Sequence, residues 1–152
     1  MSTPEHALPT PPEGLAFESV SLRFVRLVPA DPKRALVPYY NFSIHASVPD
    51  VGHINFRVGD TEHIRLYAGH IGYAVLESFR GHRYAFQACR ALAPFVRLLY
   101  ASVIITSDPD NHASLRTIAR LGATFIDEVA VPPHDPHFRG GSRMKRRYQW
   151  VP

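Results

Sequence analysis

GHIGYAVLESFRGHRYA, residues 69–85, joins a β-rich apolar run directly to a helix through an Arg-Gly turn. Such a turn leaves several backbone N–H groups at the helix N-terminus without intrahelical partners. Those groups, together with the positive end of the helix dipole, suit an anion such as a pyrophosphate. Arg80, His82 and Arg83 add positive charge beside them. Many strand-to-helix turns contain a glycine and an arginine and bind nothing, so this segment alone names no ligand.

Outward from this turn the chain divides into two halves. On the C-terminal side, Ala85, Ala88, Leu92, Phe95 and Leu99 recur at spacings of three and four, which predicts a helix over 81–99. Arg83, Gln87, Arg90 and Arg97 fall on the opposite side, and Pro94 should bend the last turns. ASVIIT, residues 101–106, suits a buried central strand. Asp110 or Asn111 can cap a second helix over 112–121, which Gly122 closes. A strand over 124–131, a Pro- and Gly-containing loop and a last strand over 143–151 complete this half. On the N-terminal side, 21–29, 39–47, 52–58 and 69–76 read as strands joined by short connections, with a turn or short helix at 30–38. The order, strands and then a long helix between further strands, predicts a mixed α/β sheet with at least one parallel crossover. No internal repeat and no second domain is visible: 15–152 reads as one domain and the Pro-rich 1–14 as a disordered or PPII-like lead.

The bulk properties fit that reading. With 152 residues, 45% hydrophobic and 20% charged, the chain matches one ordinary globular domain. No apolar run is long enough to span a bilayer, and residues 1–14 lack the basic and apolar regions of a secretory leader, so a cytoplasmic location without a membrane partner is expected. Cys89 is the one cysteine, on the body of the long helix, where a packing role is expected. The net charge of +4 raises nucleic acid as a partner. The basic residues are scattered except for Arg143, Lys145, Arg146 and Arg147, which read as a solvated strand face, so no nucleic-acid partner is expected. Among nine histidines the close pair outside the turn is His134 and His137, in a Pro-rich loop with no helix to fix a metal geometry. No metal site is expected.

Arg80-Gly81-His82-Arg83-Tyr84-Ala85 resembles motif A of the GNAT (GCN5-related) N-acetyltransferases, Arg/Gln-x-x-Gly-x-Gly/Ala. Asp108-Pro109-Asp110-Asn111-His112-Ala113-Ser114, ending in Arg120-Leu121-Gly122-Ala123, resembles that family's motif B. Two motifs at the right separation on the right elements are far more specific than either one. The resemblance runs over roughly 21–151 and implies a GNAT-type sheet, mixed and mostly antiparallel, of six to seven strands. Helices cover both faces and the sheet is splayed between its fourth strand, near 71–75, and its fifth, at 101–106. It implies acetyl-CoA as cosubstrate and acetyl transfer by direct attack of a primary amine, small molecule or peptide. A homodimer is compatible with it.

The site residues implied are Tyr73, Ala74 and Val75 for the thioester and pantetheine, Arg80, Gly81, His82, Arg83, Tyr84 and Ala85 for the pyrophosphate, and Asn111 and Ser114 for further cofactor contacts. A charged amine must lose a proton before attack, and Glu77, at the strand end, is the first candidate base, with His70 and His45 behind it. Two positions depart from the family pattern. Arg83 stands where a glycine is usual, and Ile118 stands where the family often has a tyrosine that protonates the departing thiolate. A domain of this kind that binds acyl-CoA as a sensor or scaffold, without catalysis, is the alternative reading.

Overall fold

Alternation of apolar and polar residues turns the N-terminal half into an antiparallel sheet. The computed structural model describes residues 8–152. After a two-residue β1 (Ala16–Phe17) come β2 (Val20–Val28), β3 (Tyr39–His45), β4 (Gly52–Arg57) and β5 (Ile71–Val75). They lie in that order, every pair antiparallel. Because side chains alternate across a strand, one face collects Tyr40, Phe42, Ile44, Ile54 and Phe56, each at most 1% exposed. Helix α1 (Tyr84–Leu99) lies on this face. Phe95 meets Tyr40, Phe42 and Phe56 edge-on at 4.8, 6.3 and 5.6 Å between ring centroids. A buried phenylalanine contributes about 1.5–3 kcal/mol by area, and each favourable ring pair adds about 0.5–1.5 kcal/mol. Cys89 is fully buried there, its thiol pushed up to about 12 by burial, so it packs rather than reacts.

The opposite face of β3 and β4 presents Tyr39 and Arg57, and short turns meet it. These are a 3-10 turn (Pro32–Arg34), a π-helical turn (His63–Ala68) and a one-turn helix α3 (Pro136–Arg139). The second half forms its own antiparallel sheet from β6 (Val103–Ser107), β7 (Thr124–Ala130) and β8 (Met144–Trp150), in the order β6-β8-β7. Between β6 and β7 runs α2 (His112–Arg120), packed on α1 and β6.

The expected splay is present, between β5 and β6 once the short β1 is counted. The expected parallel crossover is altered by it: no parallel ladder exists among the described residues. The strands join only at the base. The His70 peptide N–H donates to Ile104 O at 2.8 Å, and the His70 ring Nδ1 accepts from Ile104 N–H at 3.0 Å. An imidazole thus takes the place of the next peptide group, which holds the strands apart beyond that point.

Several local expectations change. Helix α1 begins at Tyr84 rather than at residue 81, because residues 77–79 form a 3-10 turn and Arg83 adopts a left-handed backbone. Gln87, on the side opposite the apolar stripe, is buried: its amide accepts from Ser19 and donates to His82 O, tying the turn to the start of β2. The turns at 63–68 and 136–139 went unread in the sequence. Of the lead expected to be disordered, residues 1–7 lie outside the described residues. Residues 8–14 are tied down: Leu8 packs on the core, Pro11 is buried, and Pro9 O accepts from Tyr40 Oη at 2.5 Å. The basic run on β8 is largely paired within the fold. Lys145 bonds Asp108 at 2.7 Å, Arg147 grips Asp127 with two bonds of 2.7 and 2.8 Å, and Arg146 lies over Phe125.

Candidate active site

Splaying two strands opens a cavity at the edge of a sheet, and the turn of residues 76–83 forms its end. This cavity, about 740 Å³, is lined by β5, the turn and the N-termini of α1 and α2. It brings together Tyr73, Ala74, Val75, Arg80, Gly81, Arg83, Tyr84, Ala85, Asn111 and Ser114. Of the cofactor residues expected from sequence, His82 alone lies outside the lining; it is exposed and stacks on Tyr84 at 5.3 Å.

The backbone at this end of the cavity has free donors of the kind that suit an anion. The N–H groups of residues 81–86 have no acceptor among the described residues. The first bond into α1 runs from Gln87 N to Arg83 O at 3.0 Å. Gly81 (φ 90°) and Arg83 (φ 61°, ψ 28°) both have positive φ. Position 83 is thus one where a glycine is conformationally suited, and this chain carries an arginine there under mild backbone strain. Arg80 donates from Nε to Val75 O at 3.1 Å, which closes the turn against the strand end. Arg116 and Arg120, one helical turn apart on α2, also line the cavity. Neither is among the residues expected from the motifs, and their four-residue spacing just after Asn111 is the signal for them in the sequence.

Along β5 the ladder decides which amides are free. Arg57 N–H donates to His70 O and Leu76 N–H to Val51 O, so the even-numbered groups face β4. The N–H groups of Tyr73 and Val75 therefore point to the open edge, while that of Ala74 is used in the ladder with His53. The Tyr73 side chain crosses to α2, where its hydroxyl and that of Ser114 are 2.9 Å apart. Burial raises the Tyr73 pKa, holding the phenol protonated. Asn111 is the N-cap of α2, its Oδ1 accepting from Ser114 N–H at 3.2 Å. Ile118 is fully buried in the core.

The expected bases fare differently. Glu77 is exposed in the 3-10 turn, outside the cavity that gathers the other residues. His70 is corrected by its hydrogen bonds. Nδ1 accepts from Ile104 N–H and Nε2 donates to Gly59 O at 3.0 Å, so the ring has no free nitrogen, and burial lowers its pKa. His70 is a pin between the sheets. His45 sits at the end of β3 against Asp50, away from both cavities.

On the Tyr39–Arg57 face of the first sheet lies a second cavity of about 660 Å³, walled by residues 28–34, Leu36, Val37, Tyr39, Arg57, His63 and His137. A side-chain pair unread in the sequence borders it. His63 Nδ1 is 2.6 Å from Oδ2 of Asp135, a carboxylate only 3% exposed. The other oxygen of Asp135 accepts from His137 N–H at 3.0 Å and caps α3. This geometry places a proton on Nδ1 of His63, so that Nε2 is the acceptor whenever the ring is neutral. The two residues are 72 positions apart, and only the fold joins them.

A family profile described as "Acetyltransferase (GNAT) domain" matches residues 18–124. The chain belongs to the GNAT acetyltransferase family. Among solved structures, it is similar to the microcin C7 self-immunity acetyltransferase in complex with acetyl-CoA and AMP, at 19% identity and a TM-score of 0.56 over 75% of this chain and 61% of that one. It resembles the ribosomal-protein alpha-N-acetyltransferase RimL in complex with coenzyme A at 20% identity and a TM-score of 0.57, over 74% and 62% of the two chains. A GNAT-family acetyltransferase from Bacillus anthracis aligns at 23% identity and a TM-score of 0.56, over 73% and 65%. This chain thus spans less than two thirds of the length of these proteins, and at such identities the likeness concerns the fold. No curated protein matches the chain. No helix among the described residues is long and apolar enough to cross a membrane.

Proposed function

We propose that this protein transfers an acetyl group from acetyl-CoA to an amine. The observation that carries the proposal is the cavity at the β5–β6 splay, whose lining combines residues with unpartnered amides, Gly81 and residues 83–86, with four arginines, Arg80, Arg83, Arg116 and Arg120. A site rich in amide donors and planar cations fits a pyrophosphate and a further phosphate. The free N–H groups of Tyr73 and Val75 fit an extended amide-bearing chain, and a carbonyl that gains negative charge during transfer. Acetyl-CoA supplies all of these features and an activated acetyl thioester.

The residues then divide the proton work. An ammonium group entering from the Arg57 face gives a proton to His63 Nε2, with Asp135 holding the ring. The amine nitrogen attacks the thioester carbonyl, the C–S bond breaks, and the thiolate takes a proton from the paired hydroxyls of Tyr73 and Ser114. That pair offers the donor that Ile118 cannot. Glu77 and His70 have no part in this scheme.

The test is thermal denaturation with and without acetyl-CoA, followed by thiol release over a panel of amines. A ligand that binds the native state raises the melting temperature by mass action. We expect a rise with acetyl-CoA and CoA, and turnover with at least one amine. No shift at millimolar acetyl-CoA would overturn the proposal. A shift without turnover on any amine would favour an acyl-CoA-binding sensor or scaffold.

A further inference from the structure

The cavity on the Tyr39–Arg57 face of the first sheet contains a half-buried cation without a counter-charge among the described residues. Arg57 is at the end of β4, opposite Tyr39 of β3, and its guanidinium reaches over Gly72 of β5. A Cβ built on Gly72 would come within 2.6 Å of Arg57 Nη2, so the absent side chain is what admits the guanidinium. Nη1 donates to Ala68 O at 3.1 Å and Gly69 O at 3.2 Å. Nη2 and Nε have no acceptor, and no carboxylate lies within ion-pair distance of Arg57 among the described residues. Burial works against the charged form of this side chain.

A partly desolvated charge without a partner is unfavourable, and a guanidinium presents its donors in a fork suited to two oxygens. The surroundings do not neutralise it. Lys33 and Arg34 stand on the cavity wall, and the lining carboxylate, Asp31, is occupied as the cap of its own 3-10 turn. Asp135 lies behind His63 and is used by that ring and by the α3 cap. Tyr39, the cross-strand partner of Arg57, lines the same cavity.

We propose that this cavity binds an amine substrate that also carries an anionic group, a carboxylate or a phosphate, and that Arg57 pairs with that group. The inference rests on the acetyl-transfer reading above and names the substrate class for it. Arg57 spans the distance between the cavity and β5, so the anion it holds stands close to the strand whose free amides face the thioester. An acceptor whose amine and anionic group are only a few bonds apart fits that arrangement. Small zwitterions such as amino acids or aminoalkyl phosphates are of this kind.

The experiment compares glycine, β-alanine, phosphoethanolamine, ethanolamine and putrescine. Each is titrated calorimetrically into the protein saturated with CoA, and each is assayed for thiol release from acetyl-CoA. Wild type, Arg57→Gln and Arg57→Lys are used, with circular dichroism and acetyl-CoA affinity as checks on folding. We expect the zwitterions to bind wild type at least about tenfold more tightly than ethanolamine or putrescine, the size of one charge-assisted pair. The preference should vanish in Arg57→Gln and partly survive in Arg57→Lys, with acetyl-CoA affinity unchanged. The carboxylate and phosphate probes separate the two sources of the anion. Equal or weaker binding of all the zwitterions overturns the inference, as does a preference that persists in folded Arg57→Gln. Either result leaves acetyl-CoA binding intact, whereas failure of the acetyl-transfer reading appears separately as no response to acetyl-CoA.

Discussion

Arg83 shows how one residue holds two opposing demands. Its left-handed backbone costs a non-glycine residue about 1–2 kcal/mol, yet the residue lines the cavity beside the unpartnered amides of the turn. It is the N-cap of α1 and not an interior helical residue, so glycine carries no helix-propensity cost there. Arg83→Gly should therefore raise stability by about 1 kcal/mol in urea titrations. It should also weaken CoA binding about tenfold and make that binding less salt-sensitive. Unchanged affinity at low and high salt would show that the guanidinium points away from the phosphates. Asn111 makes the complementary case. Losing its cap bond in Asn111→Ala should cost about 1 kcal/mol. A concurrent loss of acetyl-CoA affinity would mark it as a cofactor contact, and stability loss alone would make it only a cap.

At the scale of elements, the site depends on two strands that fail to pair. Gly69 (φ 71°, ψ 172°) occupies a backbone region open essentially to glycine alone, and a Cβ there would lie 2.8 Å from Ile104 O. That close approach brings β5 against β6 at the base, and the His70 ring then blocks the ladder from continuing. Gly69→Ala should destabilise the fold by roughly 2–3 kcal/mol or more, because strain and backbone clash act together. A chemical-denaturation midpoint unchanged from wild type would contradict this account of the vertex. The same logic explains what was legible here. The long helix, its apolar stripe and the capped α2 follow from local periodicity and appear nearly as read. The start of α1 was misplaced by three residues because a left-handed arginine has no signature in the sequence.

For the whole molecule, the histidines gathered between the two sheets predict a response to acid. Burial, with Lys145 and His63 nearby, pushes His137 down to about 4, and His70 is lowered by burial as well. Both are neutral in the folded state but take a proton near pH 6.5 once unfolded. Between those values the unfolded chain binds more protons, so stability is full above about pH 6.5 and falls as the pH drops toward 4. For His137 the loss is on the order of 3 kcal/mol at most. The carboxylates of Asp50 and Asp127, held down by hydrogen bonds from Ser43 and Arg147, respond only at lower pH. We expect the urea midpoint to fall between pH 7 and pH 4.5, and to fall less in His137→Gln. A midpoint flat across that range would show that these rings are not buried neutral.

The sequence by itself determined the alternating strands, the two helices and the turn at residues 80–85, because periodicity, caps and glycine positions are local properties of the chain. It also named most residues of the splay cavity, since they cluster in two contiguous motifs. Tertiary structure alone decided the rest. The His63–Asp135 contact, the Tyr73–Ser114 pair and the guanidinium of Arg57 above Gly72 join residues 72, 41 and 15 positions apart in the chain. No spacing rule links such positions. Likewise, His70 reads as a free strand histidine until the fold shows both ring nitrogens engaged. Proton-handling groups are set by who stands opposite whom across a gap, and that is a property of packing.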